Sequence, residues 1–138
     1  MSPRQRIQRE CILRGKPALV AGCIDALQGR EVDTQLVAVL GGPAAEWWLT
    51  DAGLESDYWL RVWGARGLLW AWDDAATDAI SAALGDESWR VREMVLKVIA
   101  RNRLDNLLTR VAELQDDSVP RVRSAASRAL VRLSRRTP

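Results

Sequence analysis

The chain has 138 residues, 48% of them hydrophobic, and a formal net charge of +2, which favours one folded domain over a disordered chain. It contains neither a run of 18 apolar residues nor the uninterrupted apolar stretch of a signal peptide, so we expect a cytoplasmic protein with no membrane partner. The absence of histidine removes the commonest general base and zinc ligand, so we expect no catalytic site, no metal and no cofactor.

The small net charge is the sum of three regions of opposite sign. Residues 1–16 carry +4, residues 17–89 carry −9, and residues 90–138 carry +7. This asymmetry indicates that the two ends have different electrostatic partners, or that one end pairs with the other in an assembly. Arginine supplies 18 of the 20 basic residues, a usage typical of a GC-rich bacterial genome.

Apolar residues recur at helical spacing, and no segment shows the sustained alternation of a strand. In chain order we predict helices at 3–14, at 17–28, at 31–40, from Pro43 onward, along each segment that carries the motif described below, and at 74–84 and 104–115. The count is about nine helices. The two cysteines, Cys11 and Cys23, fall on the first two helices and are expected to be buried free thiols.

The C-terminal part of the chain repeats itself every 31 residues. One column holds acidic residues, the next holds an apolar-arginine pair, and two further columns hold small or apolar residues. These columns are Glu55, Asp86 and Asp117; Leu60-Arg61, Val91-Arg92 and Val122-Arg123; Gly64, Val95 and Ala126; Gly67, Val98 and Ala129. A fixed period of this length indicates a solenoid, in which each unit buries its apolar face against its neighbours. We therefore predict one domain over 1–138, with an irregular cap at 1–42 and three regular repeats at 43–138.

The motif Asp-x-x-x-x-Val-Arg, present at Asp86–Arg92 and Asp117–Arg123 and more weakly at Glu55–Arg61, resembles the short bacterial form of the HEAT repeats. The resemblance implies an all-α, right-handed α-α superhelix of about four helix pairs plus an N-terminal capping helix. It also implies that the Val-Arg helix of each pair lines the concave side, and that the acidic and arginine columns form a ladder of ion pairs and helix caps. We therefore expect an interaction module and not an enzyme.

The face of the Val-Arg helices opposite the core columns is rich in basic residues and tryptophan, and we predict that it binds a partner. The predicted partner-binding residues are Trp59, Trp63, Arg66, Trp70, Arg90, Lys97, Arg101, Arg121, Arg128 and Arg132. The expected partner is another protein, or a second copy of the chain in a homodimer that buries Trp59, Trp63 and Trp70. The other tryptophans, Trp47, Trp48, Trp72 and Trp89, are expected to pack in the core.

Three alternatives stay open for this face. The charged columns could be an ordinary solvated surface, and the N-terminal helices could cover its tryptophans. The basic residues could also bind nucleic-acid phosphates, since Trp70 and Trp72 beside Asp73 and Asp74 are similar to the pairing in HEAT-like alkylpurine DNA glycosylases. Against this, the chain is shorter than those enzymes, and the region of charge −9 would repel a phosphate backbone. A metal site at these aspartates is not expected, because capping of a helix start by Asp73 or Asp74 explains them more simply.

Overall fold

Nine α-helices, and no strand, make up the regular structure of residues 1–50 and 58–135, which are the residues described by our computed structural model. The prediction of an all-α fold is confirmed. The helices are α1 (Pro3–Arg14), α2 (Lys16–Leu27), α3 (Thr34–Gly41), α4 (Pro43–Trp48), α5 (Tyr58–Trp70), α6 (Thr77–Ala83), α7 (Trp89–Asn102), α8 (Leu108–Glu113) and α9 (Pro120–Ser134). Short 3₁₀ turns precede α6 and α8 and follow α8.

Local sequence signals explain where the N-terminal helices begin and end. The Ser2 hydroxyl accepts the Gln5 N–H while the Gln5 side chain accepts the Ser2 N–H, a capping box ahead of α1. The third helix begins at Thr34, later than the expected residue 31, because the Asp33 carboxylate accepts the Leu36 N–H at 2.8 Å and caps the helix there. The expected starts and ends of the first two helices agree with α1 and α2 to within one residue.

Four helices lie side by side in one row, in the order α2, α5, α7, α9, and each neighbouring pair packs over an extensive contact. The shorter helices α6 and α8 pack against α7 and α9, respectively, so that helix pairs repeat along the row. Small residues bring α5 close to α2: a Cβ placed on Gly64 would lie 2.7 Å from the Cys23 carbonyl oxygen. One continuous apolar core runs through the row, and it includes the predicted columns of Leu60, Val91 and Val122.

The predicted ladder of ion pairs is present between successive units. Arg61 donates to both oxygens of Asp86 at 2.9 and 3.2 Å, and Arg92 donates to Asp117 at the same two distances. Each aspartate also accepts the backbone N–H two residues further on, so that it fixes the turn before α7 or α9. Each aspartate thus binds an arginine of the preceding unit and a backbone N–H of its own turn, and in this way the ladder links neighbouring units. Glu55, the third acidic residue of the column, lies outside the described residues.

Candidate partner-binding groove

The face of α5 that was predicted to bind a partner is closed by the N-terminal helices. Trp63 is only 3% exposed and packs edge-on against Trp48, with ring centroids 6.1 Å apart. A Cβ placed on Gly41 at the end of α3 would lie 2.8 Å from the Trp63 ring. The prediction that Trp63 belongs to an open surface is therefore wrong, because helices α3 and α4 cover it. A homodimer cannot bury a ring that is already buried within one chain.

Arg66 is partly buried and is engaged within the chain. Its guanidinium donates to the Leu40 carbonyl at 2.6 Å, and the Arg6 guanidinium donates to the Val39 carbonyl at 3.0 Å. Both carbonyls belong to the last turn of α3, where carbonyl groups lack partners within the helix and favour a nearby cation. Burial, together with the nearby charge of Arg6, lowers the pKa of Arg66. The prediction of Arg66 as a partner-binding residue is corrected to a helix-capping role.

Trp59 and Trp70 are half-buried and each packs against arginine. Two guanidinium groups pack on the Trp70 ring, with Arg4 of α1 at 5.1 Å and Arg101 of α7 at 4.5 Å from its centroid. Trp59 stacks on Trp63 at 6.3 Å. The alternative that the N-terminal helices cover this face therefore describes α5 well, since α1, α3 and α4 all contribute contacts to it.

The corresponding face of α7 and α9 is open and forms a groove of about 370 Å³ between the two helices. Four exposed cations line it, namely Lys97, Arg101, Arg128 and Arg132. Its floor is apolar and consists of Leu96, Ala100, Ala125 and Ala129. The four cations belong to the predicted set, and the 31-residue register places them at the positions that Arg66 and Trp70 occupy on α5. We call this feature the α7–α9 groove.

The cations of the α7–α9 groove differ in how strongly the protein itself holds them. Lys97 forms an ion pair of 3.7 Å with Glu93, and Arg101 donates through Nε to the Leu69 carbonyl at 2.8 Å. Arg128 and Arg132 make no ion pair or hydrogen bond with any described residue. These two guanidinium groups are available to an anion from outside.

At one end of the predicted partner-binding face, which we call the strip, the basic residues are engaged by contacts within the chain. The Arg90 guanidinium lies 4.5 Å from the Trp89 ring centroid and 5.6 Å from that of Trp59. Arg121 donates to both oxygens of Glu93 at 2.8 and 3.2 Å, and it also lies over Trp89. Glu93 is 9% exposed and neutralises part of the positive charge of the strip. The spacing of the repeat does not indicate this pairing between Arg121 and Glu93.

The remaining aromatic and acidic residues lie away from the groove. Trp47 is 46% exposed, so the expectation that it packs in the core is wrong. The Trp72 indole donates to Asp74, and Asp73 accepts the Ala75 N–H at the start of the 3₁₀ turn, as a cap should. Asp73 lines a pocket beside α2, not the α7–α9 groove. Asp73 therefore does not line the groove that holds the four cations.

Over residues 1–50 and 58–135 there is no group of three or more acidic, cysteine or histidine residues that could hold a metal ion. Within the same ranges no helix is both long enough and apolar enough to cross a membrane.

The comparisons with known proteins give one result. The sequence model of the family described as HEAT repeats matches residues 47–131. No curated protein and no solved structure matches the chain.

Proposed function

Since the chain belongs to the HEAT repeats family, whose members generally act as scaffolds for protein interactions, we propose that it is a non-enzymatic interaction module. Its α7–α9 groove binds an acidic segment of a protein partner. The observation that supports this most strongly is the set of four exposed cations around an apolar floor. An acidic polypeptide satisfies both parts of such a groove, because it carries carboxylates and apolar side chains together.

The arrangement of the cations is unfavourable unless a partner is bound. Arg128 and Arg132 are one helical turn apart and have like charge, which costs an isolated helix about 0.2–0.5 kcal/mol. No described carboxylate offsets this cost. An acidic partner would remove the repulsion and gain two charge-assisted hydrogen bonds, since each guanidinium presents its donors in a planar fork.

The apolar floor favours a polypeptide over a nucleic acid. A phosphate backbone gains little from contact with three alanines, and only two of the four groove cations, Arg128 and Arg132, lack an ion pair or hydrogen bond with a described residue. The other basic residues of the strip, Arg90 and Arg121, already pack against Trp89. A protein that binds along a nucleic-acid backbone needs a longer unbroken series of cations, because each neutralised phosphate contributes separately to affinity.

Charge reversal in the groove tests the proposal. The variant Arg128→Glu/Arg132→Glu is compared with Arg9→Glu/Arg30→Glu, which changes the net charge equally at exposed positions outside the groove. Labelled poly-glutamate should bind wild type and the control at low salt but not the groove variant. Duplex DNA should bind none of the three.

DNA binding by wild type, with a salt slope near −4 for four neutralised phosphates, would contradict the proposal and support the nucleic-acid reading. Equal binding of poly-glutamate by both charge-reversal variants would also contradict it. Light scattering separates a foreign partner from self-association: a wild-type dimer that the groove variant abolishes would identify the acidic segment as part of a second copy.

A further inference from the structure

We propose that the partner segment in the α7–α9 groove is an α-helix with acidic side chains along both flanks and small apolar residues between them. This inference rests on the proposed function, and it specifies the conformation and pattern of the bound segment.

The first argument is that the protein already places helices on the equivalent face. In the 31-residue register Arg66 corresponds to Lys97 and Arg128, and Trp70 corresponds to Arg101 and Arg132. On α5 this face is covered by α1 and α3 of the same chain, through Arg4 on Trp70 and the end of α3 on Arg66. Helices α7 and α9 carry the equivalent columns, and no described residue covers the groove between them. A helix therefore fits this side of the row.

The second argument comes from the floor of the groove. The position held by Trp63 on α5 holds Ala125 on α9, and the position held by Leu69 holds Ala100 on α7. Together with Ala129, these two alanines leave room above the floor of the groove. Small residues allow two helix axes to approach to the short end of the usual 8–10 Å range. An extended chain has no need of such a clearance, since its backbone is narrower than a helix.

The third argument is the spacing of the charges. Lys97 and Arg101 are four residues apart on α7, and Arg128 and Arg132 are four residues apart on α9. Each pair therefore spans about 6 Å along its helix, which is also the rise between residues i and i+4 of a ligand helix. A helix lying along the groove can present Asp or Glu at that spacing to both rows of cations. The side chains on its face toward the alanines must be small and apolar.

The charge of the chain's own first helix excludes one possible occupant. Residues 1–16 carry a net charge of +4, so α1 of a second copy would meet like charge in the groove. The ligand helix must instead be acidic. It differs from α1, which contacts α5 through Arg4, and we assign it to a partner protein.

Synthetic peptides test the helix directly. The first peptide, about 20 residues long so that it can form a helix, carries an Ala/Leu stripe flanked on both sides by Glu at i and i+4. The second has the same composition apart from a central proline, and the third replaces every Glu with Gln. Fluorescence anisotropy with labelled peptides should show binding of the first. The proline peptide should bind at least about tenfold more weakly, because proline breaks the helix. The glutamine peptide should not bind.

A floor variant provides a second, charge-neutral test. Ala100→Leu restores at this column the residue that α5 carries, Leu69, and leaves all four cations in place. It should weaken binding of the helical peptide while poly-glutamate, which needs only the cations, binds as before. Far-ultraviolet circular dichroism confirms that the variant is folded.

The outcomes distinguish this inference from the proposed function. Equal affinity for the helical and the proline-containing peptides, with loss of both in Arg128→Glu/Arg132→Glu, would overturn the helix and leave an acidic-segment groove in place. Failure of all acidic peptides and of poly-glutamate would overturn both proposals. Binding of the helical peptide that Ala100→Leu leaves unchanged would place the peptide outside the groove and also overturn the inference.

Discussion

Replacing Gly64 by alanine tests the close contact between α2 and α5, on which the row of helices depends. The added Cβ would lie 2.7 Å from both the Cys23 carbonyl oxygen and the Leu27 backbone nitrogen, and 2.9 Å from the Ala26 Cβ. Two of these three atoms belong to the α2 backbone, so no side-chain rotation relieves the contact. The two helices must move apart, and the core between them loses its packing.

The expected effect combines two opposing contributions. Overpacking costs about 1–3 kcal/mol, and the upper part of that range applies here because backbone atoms must move. The higher helix propensity of alanine relative to glycine stabilises the folded protein by about 1 kcal/mol. We therefore expect Gly64→Ala to lower the free energy of unfolding by about 2 kcal/mol. Urea titration followed by far-ultraviolet circular dichroism measures this change.

Two other glycines serve as controls. A Cβ on Gly85 would meet only the Ala82 carbonyl, at 3.7 Å, so Gly85→Ala should change stability by less than about 0.5 kcal/mol. A Cβ on Gly67 would lie 2.5 Å from the Cys23 sulfur, a side-chain atom that can rotate away, so its loss should be smaller than that of Gly64→Ala. A Gly64→Ala protein as stable as wild type would refute the backbone contact between α2 and α5.

Three further predictions concern the ladder, the tryptophans and the thiols. Asp117→Asn should lower the free energy of unfolding near neutral pH by about 2 kcal/mol, because it leaves Arg92 half-buried without its carboxylate. Burial alone would raise the pKa of Asp117, but hydrogen bonds from Arg92 and a backbone N–H outweigh it and hold the pKa below its ordinary value of 3.8. The stabilisation is thus complete above that value and is lost as the pH falls below it through the folded-state pKa. Trp63→Ala should cost about 3–5 kcal/mol and Trp47→Ala less than about 0.5 kcal/mol, measured by urea titration. The Cys23 side chain is fully buried, and burial raises its pKa to about 12. Because the thiol is neither accessible nor ionised, an aromatic disulfide reagent should label it only after unfolding.

Each of these has an outcome that would contradict it. A destabilisation by Asp117→Asn that stays constant from neutral to acidic pH would show that the charge of the carboxylate is not what stabilises the fold. Equal costs for the two tryptophan substitutions would show that Trp63 is not enclosed by α3 and α4. Rapid labelling of Cys23 in the native protein at mildly alkaline pH would show that the contact between α2 and α5 opens readily.

The repeat determined much of this fold at the level of sequence. Because residues 31 positions apart occupy equivalent places, the columns of Leu60 and Gly64 could be assigned to the core. The pairing of Arg61 with Asp86 followed from the family pattern. Helical periodicity also placed Lys97 and Arg128 on one face of their helices. These features depend on spacing along the chain, which the sequence contains in full.

Only the tertiary structure decided which part of that face is open. Trp59 and Trp70 share columns with arginines, yet Trp63 and Arg66 beside them are covered by helices that precede α5 in the chain. No repeat relates those helices to α5, so their docking depends on contacts between residues distant in the chain, such as Arg66 with Leu40. Periodicity specifies which residues share a face, whereas coverage of that face depends on long-range packing, which local spacing does not encode.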